Sequence, residues 1–150
     1  MEPGDLAPDF TLVDQHGATH SLSALLEAGP VVLFFYPAAM TTGCTRETCH
    51  FRDLRAEFAE VGAQRVGISM DDVAKQSAFG AANDLDYPLL SDVDGRVASS
   101  YGVKRAFGFL RVKRTTFVIG TDRRIVDVIS SELNMNVHAD RALSQLRAMR

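Results

Sequence analysis

The order of elements read from the chain is strand–helix–strand–helix, then strand–strand–helix, which predicts an α/β sandwich with helices on both faces of a mixed sheet. Two observations carry this. Short apolar runs alternate with stretches of helical spacing. One of those runs, Val31–Tyr36, has no polar interruption, as expected of a strand buried on both sides.

Asp9–Val13 alternates enough for a strand, and Gln15-His16-Gly17 reads as a turn after it. Ser21 is placed to cap a short helix through Leu26, which Gly29-Pro30 ends. Val31–Tyr36 is the first central strand. From Thr42 to about Val61 the apolar residues Phe51, Leu54, Phe58 and Val61 recur at three- and four-residue steps, predicting one helix that Gly62 stops. Arg65–Ser69 is a short strand, and Asp71 or Asp72 caps a helix running to about Asn83. Pro88–Asp92 reads as a connection and Gly95–Tyr101 as a short helix. Thr115–Ile119 and Ile125–Ile129 are strands around the turn Thr121-Asp122-Arg123. A final amphipathic helix begins near Val137, with Ala142, Leu143, Leu146 and Met149 on its apolar side. A parallel βαβ start with a closing hairpin is thioredoxin-like topology, to which residues 9–26, an N-terminal strand or hairpin, and residues 85–108 would be additions.

A chain of 150 residues is expected to form one domain spanning 1–150, large enough for a real core. The formal net charge of −3 argues against nucleic acid or an anionic membrane as partner. The N-terminus has no signal-peptide pattern, and no apolar run approaches the ~20 residues of a membrane span. A cytoplasmic location is expected. In that compartment a cysteine pair is more often reactive than a permanent cross-link.

The chain has two cysteines. Cys44 follows the buried strand directly, in Pro37-Ala38-Ala39-Met40-Thr41-Thr42-Gly43-Cys44, on the first turn of the predicted helix. Unpaired N–H groups and the positive end of the helix dipole there favour thiolate over thiol. In an open α/β sheet, chemistry sits beyond the carboxyl ends of the central strands, where Cys44 falls. Cys49 lies five residues on, on the same helix. That spacing means ~7.5 Å of rise and ~140° of rotation, so the sulfurs point to different faces and the Cα atoms exceed the ~7 Å limit for a disulfide. Bonding between them requires the first turns of the helix to unwind.

Nearly the whole chain resembles the Q-type peroxiredoxins, the bacterioferritin-comigratory-protein group. The segments that carry the resemblance are Gly4-Asp5-Leu6-Ala7-Pro8-Asp9-Phe10, Phe35-Tyr36-Pro37, Thr41 to Asp53, Tyr87-Pro88-Leu89-Leu90-Ser91-Asp92 and Arg114-Thr115-Thr116-Phe117-Val118-Ile119. Ala38, Thr42 and Gly120 depart from the Lys, Pro and Asp common in the family. The resemblance implies a thiol peroxidase with no metal and no organic cofactor. Cys44 would attack the peroxide and become a sulfenic acid, Cys49 would resolve it, and thioredoxin or a similar dithiol protein would return the electrons. Arg114 would add a fixed positive charge beside the thiolate. Thr41 would bind the peroxide through its hydroxyl, aided by the backbone N–H groups of residues 43 and 44. Pro37 would close the pocket against water, and Glu47 would orient the arginine. A monomer or weak homodimer is expected.

Other readings stay open at this point. Cys49 can be a small buried hydrophobe, leaving a one-cysteine peroxidase served by an external thiol. A protein thiol–disulfide oxidoreductase normally has Cys-x-x-Cys, and here Glu47 holds the second position. A non-catalytic redox sensor or binding module is a further class. A zinc site from Cys44, Cys49, His50 and His138 fits no common ligand spacing. His50 is expected to face solvent. Phe107, Phe109 and Leu110 form an apolar cluster in a predicted loop, either packed or exposed for a partner.

Overall fold

The computed structural model describes residues 1–106 and 111–149. The cluster Phe107, Phe109 and Leu110 therefore lies outside the described residues. The elements are β1 (Thr11–Val13), β2 (Thr19–Ser21), α1 (Leu22–Leu26), β3 (Val31–Phe35), α2 (Thr42–Asp53), α3 (Arg55–Glu60) and β4 (Gln64–Ser69). They continue with α4 (Val73–Ala82), β5 (Leu89–Ser91), α5 (Arg96–Ser100), β6 (Thr115–Ile119), β7 (Ile125–Ser130) and α6 (Asn136–Ala148).

All seven strands form one mixed sheet in the order β2-β1-β5-β4-β3-β6-β7. β3, β4 and β5 run parallel, and β6 joins the other side of β3 antiparallel. β3 is thus an interior strand beside the middle strand β4, and both its faces are covered. Val32 and Phe34, with Tyr36 just beyond the strand, point into a core with Phe51, Phe58, Phe79, Val118 and α6. Val31, Leu33 and Phe35 point into the opposite core with Leu22, Val97, Tyr101 and Phe117. The unbroken apolar run follows from this two-sided burial. Phe34 stacks on Phe51 with ring centroids 4.1 Å apart, which seats α2 directly over β3.

The N-terminal hairpin forms around Asp14–Ala18, and Asp14 Oδ1 accepts from the N–H groups of His16 and Ala18. Ser21 caps α1 as expected, accepting from Ala24 N–H. Of the two candidate caps for α4 it is Asp72 that accepts from Lys75 N–H, 2.8 Å away.

Three expectations need correction. The helix read from Thr42 to Val61 is two helices, because Leu54 leaves the helical conformation at φ −93°, ψ 20°. The Phe51 carbonyl, one turn earlier, accepts from the Arg65 guanidinium at 2.9 Å. A side-chain donor inserted at a helix carbonyl is a known cause of such breaks. Residues 88–92 are not a mere connection. Leu89–Ser91 is β5, between β4 and β1, with Leu89 in one core and Leu90 in the other. Three residues without alternation or β-branching carry almost no strand signal. Met149 is 45% exposed, so the apolar side of α6 ends at Leu146. Among the described residues no helix is long and apolar enough to cross a membrane.

Candidate active site

β3 ends at Phe35, and the chain turns through Pro37–Thr41 into α2. This loop is fixed from the far side by Asp71, whose side chain is almost wholly buried at the end of β4. Its carboxylate accepts from Ala39 N–H at 2.7 Å, from the Ser69 hydroxyl at 2.7 Å and from Arg111 at 2.8 Å. Burial works against the Asp71 charge, but these bonds outweigh it and hold the carboxyl below its ordinary value. Pro37 is buried at the base of the loop.

Thr41 is the N-cap of α2, yet its side chain makes no cap bond. The hydroxyl donates instead to the Ala38 carbonyl at 2.8 Å, within the loop. The first intrahelical donor is Thr45 N–H, bonded to the Thr41 carbonyl. The N–H groups of Thr42, Gly43 and Cys44 therefore have no intrahelical acceptor. Cys44 is fully buried at this end of the helix.

Arg114 arrives from the residue before β6 and is 6% exposed. Its Nη2 donates to Cys44 Sγ at 3.2 Å, and its Nη1 donates to Glu47 Oε1 at 2.9 Å. The backbone N–H of Arg114 donates to Glu132 Oε1 at 3.0 Å, which fixes the root of the side chain. The guanidinium crosses over Gly43, where a Cβ would come within 3.2 Å of Nη2. A side chain there would have to push the guanidinium by a few tenths of an ångström, so space rather than backbone conformation favours glycine. Burial opposes the charge on Arg114, but Glu47 and Cys44 outweigh it, and the guanidinium is held more firmly cationic than usual.

Glu47 has no exposed surface. Burial pushes its carboxyl up to about 8, with Arg114 pulling the other way. Even as a neutral acid it accepts from Arg114 through Oε1, and it then leaves the guanidinium charge to the sulfur. Its other oxygen, Oε2, has no hydrogen-bond partner. His138 Nε2 on α6 lies 3.5 Å from Oε2.

Cys49 is half-buried on a different face of α2, its thiol directed at Asn83 Oδ1, 3.7 Å away. Both cysteines are free, on one uninterrupted helix. Cys49 also borders a shallow groove of about 460 Å³ shared with Met40, Thr42, Thr45 and Arg46. Cys44, Arg114 and Glu47 thus come together, whereas the Thr41 hydroxyl and Cys49 are turned to other partners. His50 is partly exposed, and its ring is bonded to Asp140 of α6 at 2.7 Å. Met135 was not singled out by the sequence, and its sulfur would lie 3.5 Å from a Cβ on Gly43.

A lone buried cysteine held by an arginine at a helix start is the arrangement of a thiol-based redox enzyme. Residues 3–128 match the AhpC/TSA family. A putative peroxiredoxin of Mycobacterium tuberculosis is 61% identical over 152 residues, covering 100% of this chain and 99% of the relative. A chloroplastic peroxiredoxin Q of Arabidopsis thaliana is 40% identical, covering 99% of this chain and 68% of the relative. The crystal structure of peroxidoxin BcpB from M. tuberculosis matches with a TM-score of 0.96 at 61% identity, over 100% of this chain and 99% of that one. The Xanthomonas campestris bacterioferritin comigratory protein matches with a TM-score of 0.86 at 28% identity, over 99% of this chain and 96% of that one. The chain belongs to the AhpC/TSA family and is a peroxiredoxin of the Q-type group, a peroxidase on a thioredoxin-like fold.

The burial of Glu47 has a consequence for stability. Between its ordinary value of 4.5 and about 8 the folded chain keeps a proton that the unfolded chain has released. That contribution is fully present below 4.5 and is lost as pH rises through about 8. Glu47→Gln mimics the protonated acid and lacks this dependence. Denaturant unfolding of both proteins across this range should show the parent losing stability relative to Glu47→Gln, at most ~1.4 kcal/mol per pH unit. A constant difference between the two would contradict the assignment.

Proposed function

We propose that Cys44 is the peroxidatic cysteine of a thiol-dependent peroxidase and that Cys49 resolves it. The observation that carries this is the Arg114 guanidinium 3.2 Å from Cys44 Sγ at the open end of α2. A fixed cation and unpaired helix N–H groups favour thiolate over thiol at one sulfur. The thiolate attacks one oxygen of the peroxide and the O–O bond breaks. Sulfur is oxidised to sulfenic acid, and the other oxygen leaves with a proton as water or an alcohol. Hydrogen peroxide and organic hydroperoxides share this chemistry. The N–H groups of residues 43 and 44 and the guanidinium can hold the two oxygens and stabilise charge on the leaving one. Arg114 has a further donor, Nε–H, from which no group among the described residues accepts. The Thr41 hydroxyl sits beside the same helix end and would exchange its bond to Ala38 for one to the peroxide. Pro37 would exclude water, and Glu47 would hold the arginine in register.

Resolution then joins the two sulfurs, releasing the sulfenic oxygen as water. On an intact α2 the sulfurs face different neighbours, so the helix must open first. Opening breaks the bonds from the Thr48 hydroxyl to the Cys44 carbonyl, from the Tyr87 hydroxyl to the Thr48 carbonyl and from Cys49 to Asn83. It also releases Glu47 from Arg114 and His50 from Asp140. Each neutral bond is worth ~1 kcal/mol net. The break at Leu54 already separates α2 from α3, which gives the opening a natural boundary. Once unwound, the disulfide is open to a dithiol protein such as thioredoxin, which returns two thiols by exchange. A one-cysteine cycle with an external thiol is the second reading, favoured by the engagement of Cys49 with Asn83.

Cys44→Ser should abolish reductant-dependent peroxide consumption, because the hydroxyl is a far poorer nucleophile than a thiolate. More than a trace of turnover would refute the role of Cys44. Titrating thiols after one equivalent of peroxide separates the two cycles. An internal disulfide leaves none, whereas a one-cysteine enzyme keeps Cys49 free.

Amide hydrogen exchange tests the opening. In the disulfide form, protection should fall across residues 42–53 and their immediate packing neighbours, with the central strands unchanged. A Cys49→Ser variant should stop at sulfenic acid and keep its helix. Unchanged protection in α2, in protein shown by mass to hold the disulfide, would mean that the helix does not open.

A further inference from the structure

We propose that His138 is a positioning residue of the peroxidatic centre, bracing Glu47 at its second oxygen and so holding Arg114 against Cys44. The inference rests on the reading of Cys44 given above. His138 has no exposed surface and lies on the first turn of α6. Its ring is fixed at both nitrogens. Nε2 lies 2.9 Å from the Ser131 carbonyl, and Nδ1 lies 2.8 Å from the Thr116 hydroxyl. Nε2 is also 3.5 Å from Glu47 Oε2, the one carboxyl oxygen of Glu47 without a hydrogen bond. The chain Cys44–Arg114–Glu47–His138–Thr116 therefore runs from the sulfur to the inner face of β6.

A carbonyl only accepts, so Nε2 carries the ring hydrogen and donates to Ser131, which turns the same polar N–H edge toward Oε2 at 3.5 Å. Nδ1 then accepts from the Thr116 hydroxyl. The groups that face the ring are Glu47 from α2, Arg114 and Thr116 from the β6 side, and Glu132 from the segment after β7. Burial holds His138 below its ordinary value and so in the neutral form, the Ser131 carbonyl pulling the other way. A second link between the same two helices, His50 to Asp140, lies at the rim. It keeps α6 against α2 without touching Arg114.

The test uses the chain with Cys49→Ser, so that Cys44 is the only thiol. Ultraviolet thiolate absorbance is followed against pH, and the rate of sulfenic acid formation is read in a single turnover. His138→Phe removes both ring nitrogens while keeping bulk. It should lower the thiolate fraction at neutral pH and slow the peroxide step roughly tenfold, the loss expected when a buried carboxyl oxygen loses the polar N–H edge that faces it. His138→Gln keeps an N–H donor and should recover most of both. In a Glu47→Gln background His138→Phe should add almost nothing, because its effect passes through Glu47. If folded His138→Phe keeps the parent's thiolate curve and rate, or if its effect adds in full to that of Glu47→Gln, His138 has only a packing role and the proposal falls. If His138→Phe does not fold, Thr116→Val replaces it, since this removes the Nδ1 partner and leaves the ring. The same shift in the thiolate curve supports the proposal, and an unchanged curve overturns it. A parent chain that titrates normally but consumes no peroxide would instead refute the peroxidatic reading.

Discussion

One guanidinium organises this site. Arg114 donates to Cys44 with one nitrogen and to Glu47 with another, so a single planar group sets both the charge at the sulfur and its own orientation. Lysine could supply the charge but not two divergent donors from a rigid plane. Much of the surrounding structure follows from accommodating it. Gly43 gives it passage, Glu132 ties its backbone, and Glu47 holds its second nitrogen.

The pair is assembled from opposite sides of the central strand. Cys44 comes from the helix after β3, and Arg114 from the strand antiparallel to it, with Phe35 opposite Thr115 in register. A slip of that pairing would carry Arg114 to the other face, away from the sulfur. Two-sided burial of β3 is what fixes the register. Asp71 does the equivalent for the loop between, by holding Ala39 N–H from the end of β4. The cysteine is presented by a helix whose preceding loop is anchored at Ala39 and whose far end is stacked on β3 through Phe51.

Much of this was legible in the residues. The apolar run 31–36 and the glycine–cysteine pair after it placed the sulfur at a strand-to-helix turn, and the Arg-Thr-Thr-Phe stretch placed a cation at the start of a strand. What could not be read was set by tertiary partners. β5 is a strand because β1 and β4 flank it, not because Leu-Leu-Ser prefers extension. The break at Leu54 is made by Arg65, eleven positions away in sequence. Thr41 looked like a hydroxyl aimed at substrate, but its nearest acceptor in the fold is its own loop carbonyl. In the sequence His138 stands out only as an ill-spaced zinc candidate on an amphipathic helix, since nothing in its spacing reveals a carboxyl 91 positions earlier. Buried polar partners drawn from distant segments leave no periodic trace.

The central claim is that Arg114 makes Cys44 reactive, and the most direct measurement is the thiolate absorbance of Cys44 against pH, with its rate of reaction with peroxide, in Arg114→Ala and Arg114→Lys. Without the guanidinium, less of the sulfur should be ionised at neutral pH and the peroxide step should slow. Each tenfold change in the thiolate equilibrium corresponds to ~1.4 kcal/mol. Lysine should restore part of the ionisation and less of the rate, because a point charge cannot also hold the oxygens. If Arg114→Ala titrates and reacts as the parent does, the guanidinium is an ordinary buried charge and the account of this site is wrong.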